Sequence, residues 1–77
     1  MKIKVVVTLK SGVLDPQGKA IQQTLNGMNF DGVDDVRQGK FFEINVNEND
    51  ETKAKSQVED MCKKLLANVV IEDYKIL

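Results

Sequence analysis

The adjacent carboxylates Asp34-Asp35, Glu59-Asp60 and Glu72-Asp73 and the thiol of Cys62 are groups in this chain whose types suggest chemistry. There is no histidine, so general acid–base work by an imidazole is excluded. Neighbouring residues on a helix or strand project in different directions, so none of the carboxylate pairs converges on one reacting atom, and they read as solvated charge. Cys62 sits between Met61 and Leu65 on an apolar stripe, with no imidazole to take its proton, and reads as a small hydrophobe rather than a nucleophile. A lone cysteine without histidine supplies neither an internal disulfide nor the usual zinc ligand sets. Gly12, Gly18, Gly27, Gly32 and Gly39 match neither a Walker loop nor a dinucleotide fingerprint. The expectation is that this chain holds no catalytic, cofactor-binding or metal-ligating set of its own.

The elements that carry these groups are short. Seventy-seven residues make one domain, 1–77, with a small core, and association with other chains is the remaining common source of buried area. Eleven Lys and Arg stand against twelve Asp and Glu, with neither sign gathered into a block, so nothing steers a polyanion toward the chain and no nucleic-acid partner is expected. The longest strictly apolar runs, such as Val5–Val7 and Val69–Ile71, fall far below the ~20 residues of a bilayer crossing. No signal peptide is expected ahead of the first strand, and the expected setting is soluble and cytoplasmic, with no membrane partner.

From Lys2 to Lys10, Ile3, Val5, Val7 and Leu9 alternate with Lys2, Lys4, Val6, Thr8 and Lys10, which predicts a strand with one buried face, broken at Ser11-Gly12. Asp15-Pro16 predicts a helix start, with Asp15 as N-cap, and Ala20, Ile21, Leu25 and Met28 continue at helical spacing to about Met28. Val33–Val46 is expected to form two strands joined tightly at Gln38-Gly39, with Phe42, Ile44 and Val46 sharing a face of the second. Asn49 or Asp50 caps a second helix to about Leu66, whose stripe is Ala54, Val58, Met61, Cys62, Leu65 and Leu66. Val69–Leu77 closes the pattern as a strand with Val70, Tyr74 and Ile76 on one face. Glu72 shares that face and requires an edge, an interface or a partner charge. The resulting order is β-α-β-β-α-β: an α+β, ferredoxin-like split βαβ, with a mostly antiparallel four-stranded sheet and two helices on one face. The other face, carrying Val6, Phe41 and possible contributions from Ile71 and Leu77, would be left uncovered.

Three segments, Val13-Leu14-Asp15-Pro16-Gln17-Gly18, Val36-Arg37-Gln38-Gly39-Lys40 and Asn68-Val69-Val70-Ile71-Glu72-Asp73-Tyr74, taken in this order, resemble the PurS family, the small subunit of bacterial phosphoribosylformylglycinamidine (FGAM) synthase. Val69 stands where many relatives carry a proline. The resemblance implies a role in purine biosynthesis as an assembly factor. It would bridge a glutaminase subunit and a large synthetase subunit and assist ammonia transfer for ATP-dependent amidation of formylglycinamide ribonucleotide. It further implies a homo-oligomer, dimer or tetramer, associating through the sheets, and ATP and magnesium held by the large partner subunit rather than by this chain.

Carried onto this sequence, the motif positions have a structural reading, in which Asp15 and Pro16 start a helix, Gly39 makes a turn and Tyr74 packs a strand. They also have a functional one, in which Arg37, Lys40, Glu72 and Asp73 contact partner subunits. Two other readings share the element order: an ACT-like domain sensing a small molecule, and an RNA-binding domain. For the latter, Gly39-Lys40-Phe41-Phe42 has the wrong spacing for a stacking strand.

Overall fold

Period-two alternation at the start of the chain does what it predicts. In the computed structural model, which describes residues 1–77, β1 (Lys2–Leu9) buries Ile3, Val5 and Val7 and turns its lysines outward. It is the central strand of an antiparallel sheet of order β2-β1-β3, with β2 at Gly39–Asn45 and β3 at Glu72–Ile76. The register sets Val5 opposite both Phe42 and Ile76, and Val7 opposite Lys40 and Tyr74. The same face therefore carries Val5, Val7, Phe42, Tyr74 and Ile76, while Val6 and Phe41 lie on the other.

Between the strands run α1 (Pro16–Gly27) and α2 (Glu51–Met61). Asp15 caps α1 by accepting from the Gly18 N–H at 2.8 Å, and Asp50 caps α2 by accepting from Thr52 and Lys53. α2 lies over the sheet and closes the core: Ala54, Val58 and Cys62 are buried against Ile3, Val5, Val7, Val46 and Ala67. Its stripe does not run on as the spacing predicts. A π-helical turn at Cys62–Leu66, closed by the Ala67 N–H donating to the Cys62 carbonyl at 3.0 Å, widens the last turn and swings Leu65 into solvent at 83% exposure.

The four-stranded sheet is not formed. Val33–Gln38 was expected as the fourth strand, but it is irregular, and β2 and β3 are both edges of a three-stranded sheet. The reason is in the hydrogen bonds of the segment. The Gln38 N–H donates to Asp15 Oδ2 at 2.7 Å, and the Val33 carbonyl accepts from Gln22 Nε2 at 3.2 Å. The Arg37 guanidinium donates to the Lys10 carbonyl at 3.1 Å. The segment is bound to α1 and to the end of β1, so it has no free ladder to offer β2. Gly39 makes no hairpin turn either. It is the first residue of β2, set opposite Thr8, where a Cβ would come within 2.5 Å of the Val7 carbonyl oxygen. The positive-φ glycine is Gly12, at +89° in the turn after β1.

The last strand is also shorter than Val69–Leu77. Asn68 folds the residues after it, Val69 to Ile71, into a turn, its carbonyl accepting from Ile71 and Glu72 and its Oδ1 from Val70 at 3.2 Å. β3 then begins at Glu72.

The two helices do not share one sheet face as expected. α1 buries only Gly18, while Ile21 and Met28 are exposed and Leu25 is half-buried. With the returning segment it forms an arm, and the molecule measures 49 × 23 × 14 Å. Its radius of gyration is 15.9 Å, against about 11.5 Å for a compact chain of this length.

Candidate partner interface

The four charged residues singled out by sequence gather at one end of the sheet, where β1 ends and β2, β3 and α1 begin. Lys40 enters from β2 opposite Val7 and Glu72 from β3 opposite Leu9, so their side chains meet above β1 on the helix-bearing face, Nζ to Oε2 at 3.7 Å. Glu72 also accepts from the Asn68 N–H at 2.7 Å, which holds its carboxylate in place and answers why a charge sits on the inward face of a strand. Asp73, one residue on, points to the opposite face and pairs with Lys10 at 3.0 Å. Arg37 reaches the same corner through the Lys10 carbonyl. The structure thus brings the four to one sheet end but divides them between two faces.

On the helix-bearing face of this corner opens a groove of about 530 Å³, lined among others by Val7, Leu9, Asp15, Gln38, Lys40 and Glu72. Sequence reasoning assigned Asp15 a local role and missed its second one. Asp15 is 6% exposed, and its carboxylate ties the helix start to the start of β2 by taking both the Gly18 and Gln38 N–H groups. Lys10, which joins β1 to Arg37 and Asp73, was missed altogether. Its only sequence signal is a charge at the end of an alternating run.

The N–H of Gln38, then that of Gly18, with the nearby Arg37 charge as a smaller cause, hold the Asp15 carboxyl below its ordinary value of 3.8. A carboxyl depressed in the folded state contributes stability that is present above the unfolded value and is lost as pH falls through the folded one. The arm is therefore expected to loosen as pH drops below about 4. Protection of the Gln38 amide, its exchange relative to an unstructured amide at the same pH, should fall there in the native chain, and Asp15→Asn should already show that lowered protection at neutral pH, with a flatter acid response.

Burial, then the Glu59 charge, pushes the Cys62 thiol up, away from the reactive thiolate. Its reaction with Ellman's reagent in the native protein should be at least about a hundredfold slower than in denaturant, since it must await opening of the core. No cluster of three metal-ligating side chains is present. No helix is long and apolar enough to cross a membrane.

These features define an α+β domain of order β-α-β-α-β, with a three-stranded antiparallel sheet and its charged motif residues collected at one sheet end. The family model described as "PurS: Phosphoribosylformylglycinamidine (FGAM) synthase" matches residues 2–77, and the chain belongs to that family. It is a subunit of FGAM synthase, of purine biosynthesis. The phosphoribosylformylglycinamidine synthase subunit PurS of Bacillus subtilis is 50% identical over 74 residues, covering 96% of this chain and 87% of that protein. The crystal structure of Methanocaldococcus jannaschii PurS, one of the subunits of formylglycinamide ribonucleotide amidotransferase, superposes with a TM-score of 0.88 at 50% identity, covering 99% of this chain and 92% of that one. A chain in the structure of PurLQS from Thermotoga maritima superposes with a TM-score of 0.90 at 32% identity, covering 99% of this chain and 93% of that one.

Proposed function

We propose that this chain is the non-catalytic subunit that bridges the glutaminase and large synthetase subunits of FGAM synthase, in the cytoplasm. There it assists the passage of ammonia to the ATP-dependent amidation of formylglycinamide ribonucleotide. ATP and magnesium belong to the large subunit in this reading. The observation that carries it is the family match over residues 2–77, joined to the likeness, over nearly the whole chain, to a chain of the PurLQS assembly. The same match weighs against the ligand-sensing and RNA-binding readings.

Arg37, Lys40, Glu72 and Asp73 are the residues assigned to the partner contacts. They are fastened to one another or to the backbone, so a partner meets an ordered charge pattern rather than free side chains, which favours orientation and rate of assembly. The chain is also assigned a homo-oligomeric state, at least a dimer.

Reconstitution tests the reading. Adding the chain to the two partner subunits should restore glutamine-dependent amidation, while amidation driven by free ammonia should change little. Failure to alter the glutamine-dependent rate, or to co-elute with the partners, would sink it. Lys40→Glu should raise the concentration needed for half-maximal stimulation about fivefold, the equivalent of ~1 kcal/mol for a rim ion pair. For the oligomer, sedimentation at micromolar concentration should show no species as small as 8.6 kDa.

A further inference from the structure

The segment from Cys62 to Ile71 uses two irregular turns to put apolar side chains into water. In a regular helix Leu65, seven residues after Val58 and three after Cys62, would join their buried stripe. The π-helical turn takes it out of that stripe. The turn at Asn68 then presents Val69, Val70 and Ile71. Leu65, Val69, Val70 and Ile71 are 83%, 50%, 79% and 39% exposed. Single exposed aliphatic side chains are ordinary on a protein surface, but four from so short a stretch make a patch.

The patch is held in shape. Besides the bonds that Asn68 accepts from Val70, Ile71 and Glu72, its own N–H donates to Glu72 Oε1 at 2.7 Å. The Lys10 N–H donates to the Ile71 carbonyl at 2.8 Å, which fastens the turn to the end of β1. Glu72 and Asp73 follow directly, so the patch adjoins the charged corner. An apolar centre beside a rim of paired charges is the anatomy of a protein–protein interface, and its prior order lowers the entropy lost on binding.

Charge selects the kind of partner. Between Cys62 and Ile71 stand Lys63 and Lys64 and no carboxylate, in a chain whose net charge is -1. Lys63 reaches back to Glu59 at 3.7 Å, whereas Lys64 is exposed and joins none of the chain's ion pairs. Two copies meeting turn to turn would set Lys64 against Lys64 and one exposed apolar turn against another, which disfavours a two-fold contact here. We infer that Leu65, Val69 and Val70 are the anchor by which this chain docks on a different protein subunit of its complex, in an apolar hollow edged by a carboxylate that Lys64 meets. The inference rests on the bridging role proposed above and names the surface that makes one side of the bridge. Arg37, Lys40, Glu72 and Asp73 then form the rim of that contact: the apolar anchor holds the partner and the charges orient it.

The test uses the full chain with the glutaminase and large synthetase subunits. With Val70 replaced by the photo-cross-linker p-benzoylphenylalanine, irradiation should join the chain to one of these two subunits, at a peptide carrying apolar residues and a carboxylate. Leu65→Asp should raise the concentration needed for half-maximal stimulation of glutamine-dependent amidation by about tenfold or more. Lys64→Glu should raise it about fivefold, with Lys64→Arg close to wild type. All three substituted chains should melt like the wild type and keep its sedimenting mass, because neither position belongs to the core. Cross-links formed only between copies of this chain, or a Leu65→Asp chain that stimulates like the wild type, would overturn the anchor and leave the bridging role standing. If that active Leu65→Asp chain has also lost co-sedimentation with phosphatidylglycerol vesicles, the patch serves a lipid surface instead. A wild-type chain that fails to stimulate removes the bridging role, and the anchor with it.

Discussion

Gly18→Ala lowers the melting temperature of this protein, although glycine to alanine inside a helix ordinarily raises it. The usual gain is about 0.5–1 kcal/mol, from reduced freedom of the unfolded chain and better helix propensity. At position 18 a Cβ would overlap the carbonyl oxygen of Val36 and lie 2.9 Å from Asp15 Oδ2. The obstacle is backbone, so no side-chain rotation relieves it. The Val33–Gln38 segment would have to lift off α1 and give up its bonds from Gln38 to Asp15 and from Gln22 to Val33. Overpacking of this kind costs about 1–3 kcal/mol, which exceeds the propensity gain. A net loss of about 1–2 kcal/mol corresponds to roughly 5–10 °C in a domain of this size. Gly27→Ala is the control, because no atom lies within 4 Å of a Cβ there, and it should melt a little higher than the wild type. A Gly18→Ala chain that also melted higher would show that the segment does not lie against the helix.

Val58→Ala should cost about 2 kcal/mol, while Leu65→Ala on the same stripe should stay within ~0.5 kcal/mol of wild type. Val58 has no exposure and packs with Val5, Val7 and Cys62, whereas Leu65 is 83% exposed beyond the π-helical turn. The Val58 loss weighs heavily, because the hydrophobic core comprises eight buried residues and a domain of this length is stable by only about 4–12 kcal/mol in all. Urea unfolding monitored by circular dichroism measures both. Equal losses at the two positions would mean that the helix continues regularly through Leu65 and buries it.

Much of the frame was legible because its causes are local. Alternation from Lys2 to Leu9, the Asp15-Pro16 start and the Asp50 cap each depend on residues a few positions apart, and each lies where the pattern put it. The charged quartet was legible as positions near strand ends, and its meeting at one sheet end follows from the register. The failures share a different cause. The fourth strand was lost to a hydrogen bond donated by Gln22 and to bonds accepted by Asp15 and Lys10, residues 11, 23 and 27 positions away from their partners. Gly39 was read as a turn from its backbone freedom, but what singles it out is the Val7 carbonyl across the sheet.

By itself, the sequence determined that this chain is a small α+β domain without histidine or an activated thiol, and its three motif segments placed it in the PurS family. The first conclusion rests on residue types and on spacings within single elements, where side-chain direction follows from helix or strand geometry alone, and the second on the resemblance of those segments to the family. The tertiary structure decided which apolar residues are spent on the core and which are left over. Ile21 and Val58 both sit on apolar helical stripes, and the tethers at Asp15 and Arg37 fix the arm that carries the first, which stays exposed, while the packing of α2 buries the second. The difference lies in contacts between distant parts of the chain, which hydrophobic spacing within one helix does not encode.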